Sequence, residues 1–372
     1  MSERALARVD LGAVERNCAR LRRELREGEA LCAVVKADGY GHGAVPSAGA
    51  ALAGGATWLA VAAASEAAEL RAAFPDVPNL VMGALTEPEL AVALEAGAEL
   101  GVWEEGFLAL VAERGAEAGV RPRVHLKHDS GMGRLGQRDP ERVLALVEAA
   151  AADDRLEAAG LWTHFATADE LDNDHFDRQL ERFNAVVERA RDEHPGLLVH
   201  AANSAATLRE PASHFDMVRC GIAIYGLDPY NEDPFPRELE PALELRSHVG
   251  AVKRFERGAS AGYGRRWTAA ADTWVGVLPI GYGDGVRRDL TNNADVLVGG
   301  RRYPLVGTVS MDNVTIDLGP ETEVVTGEPA VLIGAQGEER ILCEEVANRI
   351  GTINYEITCG ISARVPREHH RP

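Results

Sequence analysis

Of the 39 basic residues in this chain of 372, only three are lysines: Lys36, Lys127 and Lys253. Arginine stands nearly everywhere else that a positive charge is wanted, and a guanidinium can neither lose its proton near neutral pH nor condense with a carbonyl. The remaining amines are therefore the first places to look for covalent chemistry. Lys36 closes the apolar run LCAVVK and is followed by ADGYGHG. An amine at a strand end, partly withdrawn from water, has a lowered pKa and can attack an aldehyde. The plainer reading of Lys36 is a surface lysine beside a glycine turn. Lys253 reads as a surface residue without a role.

Other reactive or polar side chains close further short apolar runs. RVHLK ends in Lys127 and leads into HDSGMGRLG, which carries Arg134. AAGLWTHF brings His164, LLVHAAN brings Asn203 followed by Ser204, and DMVRCG brings Arg219 and Gly221 followed by Ile222. If these runs are strands of one barrel, all these groups face one opening, and Ser204, Gly221 and Ile222 fall in the loops where barrels hold phosphate through N–H groups and hydroxyls. Taken singly each has a structural reading, Ser204 as a helix cap among them. GMGRLG formally matches a dinucleotide fingerprint, but the next helix opens only after Asp139 and Pro140, so these glycines present no helix N-terminus to a pyrophosphate. His125 and His128 are spaced so that they face different ways across a strand end, and no metal site is expected.

The elements that must position these groups follow from periodicity. Between residues 30 and 225 eight short β-favouring runs alternate with alanine-rich amphipathic segments, the pattern of an α/β protein. The strands are expected at 31–36, 58–62, 79–83, 99–103, 123–127, 158–165, 197–203 and 216–221. Helices are expected at 65–73, 104–118, 141–151 and 174–193, with a capping box at Thr86 and Glu89 and a helix start at Asp139–Pro140. Eight such units predict a (β/α)8, TIM-type barrel; an open doubly wound sheet is the alternative. After the proline-rich, acidic stretch 228–241 the runs TWVGVLPI, ADVLVG, RRYPLVG, NVTIDL and PAVLIG predict a mostly β C-terminal domain. The domains are therefore expected at 11–235 and 236–372. The opening ALARVD, a strand before a helix over 11–26, could join either. In the second domain Tyr263, Tyr282 and Tyr355 stand in AGYGRRW, IGYGDG and INYEI, and Met311 in VSMDN. The glycine-flanked tyrosines suggest exposed loops with a polar task, or ordinary hairpin turns.

Composition narrows the function classes. The net charge of -19 and pI near 5.1 disfavour general nucleic-acid or anionic-membrane binding. The first ten residues hold no apolar stretch and no run of about 18 apolar residues occurs, so a cytoplasmic protein is expected. Five cysteines without a CxxC pair fit reduced thiols rather than zinc or disulfides.

Taken together, AVVKADGYGHG, VHLKHDSGMGRLG, THFATAD, HAANS, VRCGIAIYG, AGYGRRW, GYGDG, SMDN and INYEI closely resemble bacterial alanine racemase, in the same order and over most of the chain. The resemblance implies a barrel that binds pyridoxal 5'-phosphate, a β domain, a homodimer with shared active sites, and D-alanine supply for peptidoglycan. It implies that Lys36 carries the cofactor as an imine and that Tyr263 of the second subunit faces it across the substrate. Tyr40, Ser204, Gly221, Ile222 and Tyr355 match phosphate-binding positions, with Asn203 beside them in the cofactor site. Arg219 matches the residue bonding the pyridine nitrogen, with His164 behind it, and Arg134 the residue bonding the phenolic oxygen and meeting substrate. Met311 and Tyr282 match substrate-pocket positions, and Lys127 a lysine carried as a carbamate. ADGYGHG and VGTVSMDN depart from the family's frequent ANAYGHG and VGRxCMDQ without removing a named group.

An amino acid's α-proton is too weakly acidic to leave near neutral pH unless an attached pyridoxal delocalises the carbanion. Inverting the centre then needs one base on each face, Lys36 and Tyr263, each donating after the other abstracts. Arg219, always protonated, should leave the pyridine nitrogen unprotonated and limit side reactions. A racemase of serine, a decarboxylase of basic amino acids on the same plan, and a non-enzymatic cofactor carrier are the alternatives.

Overall fold

The computed structural model describes residues 3–371. Strand β1 (Ala5–Asp10) leads directly into a helix over Leu11–Arg22. That helix stops one turn short of the expected Arg26, because the chain tightens there into three-residue turns, with Arg23, Glu24 and Leu25 N–H groups donating to Arg20, Leu21 and Arg22 carbonyls.

Eight parallel strands then close into a barrel: β2 (Ala30–Val34), β3 (Trp58–Val61), β4 (Asn79–Val81), β5 (Glu99–Val102), β6 (Arg123–Lys127), β7 (Glu157–Trp162), β8 (Leu198–His200) and β9 (Met217–Cys220). Closure is made by β9 against β2, where Cys32 lies opposite Arg219. Each strand is shorter than or equal to its apolar run, and nearly all strand residues are buried, as expected when helices cover one face and the barrel interior the other. The open-sheet alternative is excluded. Helices over Ala64–Ala73, Glu105–Glu117, Pro140–Ala152 and His175–Glu193 fall where amphipathic periodicity put them. The Glu89 carboxylate accepts from both the Thr86 N–H and hydroxyl, each at 2.8 Å. Asp139 accepts from the Glu141 N–H at 3.0 Å, with Pro140 as the first helical residue.

A second compact unit contains β1, Tyr40–Gly43 and the chain from Tyr225 onward. Its largest sheet has seven strands, ordered Arg301–Pro304, Asp295–Val298, Pro329–Gln336, Leu243–His248, β1, Arg367–His370, with Glu339–Ile341 paired onto the long Pro329–Gln336 strand. β1 runs antiparallel to Leu243–His248 and parallel to Arg367–His370, which settles that the opening strand belongs to this sheet. Three more strands, Ala251–Phe255, Thr273–Leu278 and Val314–Gly319, form a second antiparallel sheet. Among the described residues no helix is long and apolar enough to cross a membrane.

Candidate active site

In the barrel unit, the C-terminal strand ends carry the groups singled out in the sequence. Lys36 is half-buried just past β2 and opens a turn whose backbone is left-handed at four consecutive residues, Ala37 (φ 52°), Asp38 (51°), Gly39 (61°) and Tyr40 (54°). Three of these have a Cβ, for which such a conformation costs on the order of 1–2 kcal/mol each. Side chains hold the turn. Glu66, at the head of its helix, accepts from the Ala37 N–H at 2.6 Å with one carboxylate oxygen and from Ala62 and Ala63 N–H groups at 2.9 and 3.0 Å with the other. Asp38 accepts from the Ala44 N–H at 2.9 Å. A backbone strained in this way beside a half-buried amine is a mark of a working site.

Arg219, on β9 and 3% exposed, is the most heavily bonded group on the rim. Its Nη1 donates to His200 Nδ1 at 2.7 Å, and its Nη2 to the Thr163 and Ala201 carbonyls at 2.8 and 2.9 Å and to His164 Nδ1 at 3.3 Å. Burial lowers its pKa to about 10, which still leaves it charged at neutral pH. His164 is pushed well below its ordinary value, first by burial and then by the charges of Arg219, Lys127, Arg134 and Lys36. The ring is therefore neutral, and the positive charge of the bonded His164–Arg219 pair resides on Arg219.

Lys127 ends β6 with its Nζ 4.0 Å from the centre of the Trp162 ring. Burial first, then Arg219, Arg134 and Lys36, against a smaller opposing pull from Asp129, bring its pKa down to about 7. Arg134 stands exposed on the loop that follows. Asp129 organises that loop, accepting from the Gly131 and Gly133 N–H groups at 3.2 and 2.9 Å and from Arg138 Nε at 3.0 Å. Asn203 caps the helix Ser204–Arg209 through the Ala206 N–H at 3.0 Å, so the cap is Asn203 and not Ser204. The Ser204 hydroxyl instead accepts from the Gly221 and Ala223 N–H groups at 3.1 and 3.4 Å, joining the ends of β8 and β9. His125 points into the barrel, whereas His128 stacks on Phe183 at 6.2 Å, so the two histidines do part company.

These residues suit pyridoxal 5'-phosphate by the chemistry of their donors. Beyond the larger effect of burial, the charges of Arg219, Arg134 and Lys36 all push Lys127 and His164 down, so an anionic group would suit this rim. A hydroxyl and adjoining N–H groups at the ends of β8 and β9 form the kind of cradle a phosphate takes.

In the second unit the remaining residues form two groups. The Tyr40 ring lies 5.3 Å from that of Tyr225 and 6.1 Å from that of Tyr355, bringing both expected phosphate-binding tyrosines together. Tyr263, Tyr282 and Met311 sit on adjoining turns. The Thr308 hydroxyl donates to the Tyr263 carbonyl at 2.6 Å, and the Tyr282 and Gly283 N–H groups donate to Ser310 and Met311 carbonyls at 2.9 Å each. Gly281 permits that approach, because a Cβ there would come within 2.2 Å of the Ser310 oxygen. Their side chains are exposed, Tyr263 at 74%, Met311 at 51% and Tyr282 at 42%. Lys253 lies exposed on its strand.

Sequence reasoning missed Glu66 and a buried string of Glu99, His125 and His200. The signal for the latter was ionisable residues inside otherwise apolar strands.

The family model for the alanine racemase N-terminal domain matches residues 9–229, and that for the alanine racemase C-terminal domain matches residues 242–369. The chain is 43% identical to the alanine racemase of Symbiobacterium thermophilum over 97% of its own length and 96% of that relative. Its fold is similar to the alanine racemase of Streptomyces lavendulae, with a TM-score of 0.94 at 35% identity over 100% of this chain and 98% of that one. It is likewise similar to the alanine racemase of Bacillus anthracis with bound L-Ala-P, with a TM-score of 0.91 at 38% identity over 100% and 96% of the two chains.

Proposed function

The chain belongs to the alanine racemase family, and from that premise we propose that it interconverts L- and D-alanine with Lys36 and Tyr263 as the two bases on a pyridoxal 5'-phosphate cofactor. The observation that carries this reading is the gathering of Lys36, Lys127, Arg134 and Arg219 at the C-terminal strand ends of one barrel, a concentration of positive charge that suits an anionic cofactor. Bound pyridoxal supplies the electron delocalisation that acidifies the substrate's α-carbon.

Lys36 anchors the cofactor through its amine and, when substrate displaces it, holds or returns a proton at Nζ on one face. The Tyr263 hydroxyl does the same on the other face, and its exposure in the single chain fits delivery to the site of a second copy in a homodimer. Tyr282 and Met311, on turns tied to that of Tyr263, line the substrate pocket. Ser204, with the Gly221 and Ile222 N–H groups and the paired Tyr40 and Tyr355, holds the phosphate, and Asn203 fixes the helix that begins at Ser204. Arg219 would bond the pyridine nitrogen and, staying protonated, would leave that nitrogen without a proton. His164, as a neutral acceptor, steadies Arg219.

Lys127 with a pKa near 7 is substantially a free amine at neutral pH. Such an amine adds carbon dioxide to give a carbamate with release of one proton, and the resulting anion would orient Arg134. D-Alanine for peptidoglycan made in the cytoplasm is the role this activity serves. The test is to incubate the purified protein with L-alanine, L-serine and L-lysine in deuterated water. Inversion with α-proton exchange on alanine supports the reading; carbon dioxide release from lysine, or exchange only on serine, overturns it. Borohydride reduction should leave the pyridoxyl label on Lys36.

A further inference from the structure

The interiors of barrels of this kind are ordinarily filled by layers of branched apolar side chains. Here a string of ionisable groups runs up the inside from the first residue of β5 to the rim. Glu99 Oε2 lies 2.7 Å from His125 Nε2, His125 Nδ1 lies 2.9 Å from His200 Nε2, and His200 Nδ1 lies 2.7 Å from Arg219 Nη1. Both imidazoles are fully buried, and room is made for them: a Cβ on Gly160 would come within 2.3 Å of His125 Nδ1. Trp162 stacks on His200 at 5.6 Å and donates its indole N–H to the His125 carbonyl at 3.2 Å. Polar groups buried like this are costly unless every one is paired, and here every ring nitrogen is.

The direction of the string follows from its upper end. A guanidinium can only donate, so His200 Nδ1 must accept and its proton sits on Nε2. His125 Nδ1 must then accept from His200, which puts the His125 proton on Nε2, donated to Glu99. The guanidinium at the top and the carboxylate at the foot therefore favour one and the same proton order. Arg123 Nε holds its other oxygen at 2.9 Å at the opening of β6. Burial works to raise the Glu99 carboxyl, but the bond from His125 and the charge of Arg123 outweigh it and keep it below its ordinary value. His200 is driven well below its own by burial and by Arg219, so it serves as a neutral acceptor.

We propose that Glu99 and His125 are positioning residues: by supporting from below the His200 tautomer that Arg219 requires, they help hold the guanidinium in place at the rim. This rests on the reading above, in which Arg219 meets the pyridine nitrogen. The string explains why a barrel core spends so many buried polar groups at a distance from the substrate. Loss of the carboxylate removes the lower of the two constraints and leaves the His125 Nε2 proton without its acceptor, so the His200 ring is then held by Arg219 alone.

The test uses the holoenzyme labelled with ¹⁵N-histidine. Two-bond couplings should show both His125 and His200 protonated at Nε2, with assignments from His125→Gln and His200→Gln; an Nδ1 proton on either ring overturns the proposal. Glu99→Gln keeps the size and one acceptor oxygen while removing the charge. It should move the His125 Nε2–H resonance upfield and lower kcat about tenfold, with KM within about twofold. Unchanged kcat and unchanged histidine signals in a folded Glu99→Gln protein overturn it. If that variant does not fold, His125→Gln, which cuts the string one step higher, decides by kcat and the His200 signals: both unchanged in a folded protein overturns the proposal. Wild-type protein that racemises alanine with its label on Lys36 upholds the proposed function whichever way Glu99→Gln behaves, so the two claims fail separately.

Discussion

The two sides of the barrel wall are built of opposite materials. Strand register places Cys32, Trp58, Ala60 and Leu80 on the inner face of β2–β4, whereas the same face of β5–β9 carries Glu99, His125, Lys127, His200 and Arg219. Glycines at 101 and 160 open space on that second side; a Cβ on Gly101 would come within 3.1 Å of the Trp162 ring. The apolar side behaves as an ordinary core, whose value lies in burial and packing. On the ionic side Glu99, His125, His200 and Arg219 are bonded one to the next, and removing one partner strands the others. Lys36, at the end of an apolar strand, is where the two sides meet. Stability should therefore depend chiefly on β2–β4, and rate on β5–β9 together with Lys36.

The comparison can be broken most decisively at Lys36. Lys36→Ala should lower alanine racemisation by at least about ten-thousandfold with little change in melting temperature; a variant with more than a few per cent of wild-type activity removes Lys36 from the chemistry. Leu80→Ala, on the apolar side, should cost about 3 kcal/mol in denaturant unfolding while kcat stays within about twofold. A large fall in kcat without loss of stability would erase the distinction between the sides. Lys127 gives a pH test. With its pKa near 7, the free amine prevails above that value and dwindles below it, and each carbamate formed also releases a proton, so at fixed ¹³CO2 pressure and partial occupancy the carbamate signal in ¹³C NMR should drop about fiftyfold from pH 7 to pH 6. No signal at either pH, with an unmodified mass, would leave Arg134 without that anion. The smallest effect belongs to Thr86→Ala at the helix before β5, about 1 kcal/mol of stability from the lost bond to Glu89 and no change in rate.

Much of this organisation could be read along the chain. Barrel strands buried on both faces leave uninterrupted apolar runs, so all eight were located to within a few residues, and Asp139–Pro140 marked its helix because a cap is a local device. The strand ends then pointed to Lys36, Lys127, His164, Ser204 and Arg219. What could not be read depends on closure. His125 was visible, but its partners lie 26 and 75 residues away and meet it only when the barrel forms. The left-handed turn after Lys36 was also hidden, since Ala37, Asp38 and Tyr40 each disfavour it alone and Glu66, 29 residues on, holds it. Leu11–Arg26 was read too long because charged, helix-favouring residues continue past the point where packing ends.

The placement of the three lysines has a practical outcome. Lys127 is sealed inside the barrel and Lys36 is half-covered, so among the described residues Lys253 is the only lysine side chain presented openly to solvent. Among the lysine side chains, an amine-reactive dye would couple first at this one, on a strand of the β unit.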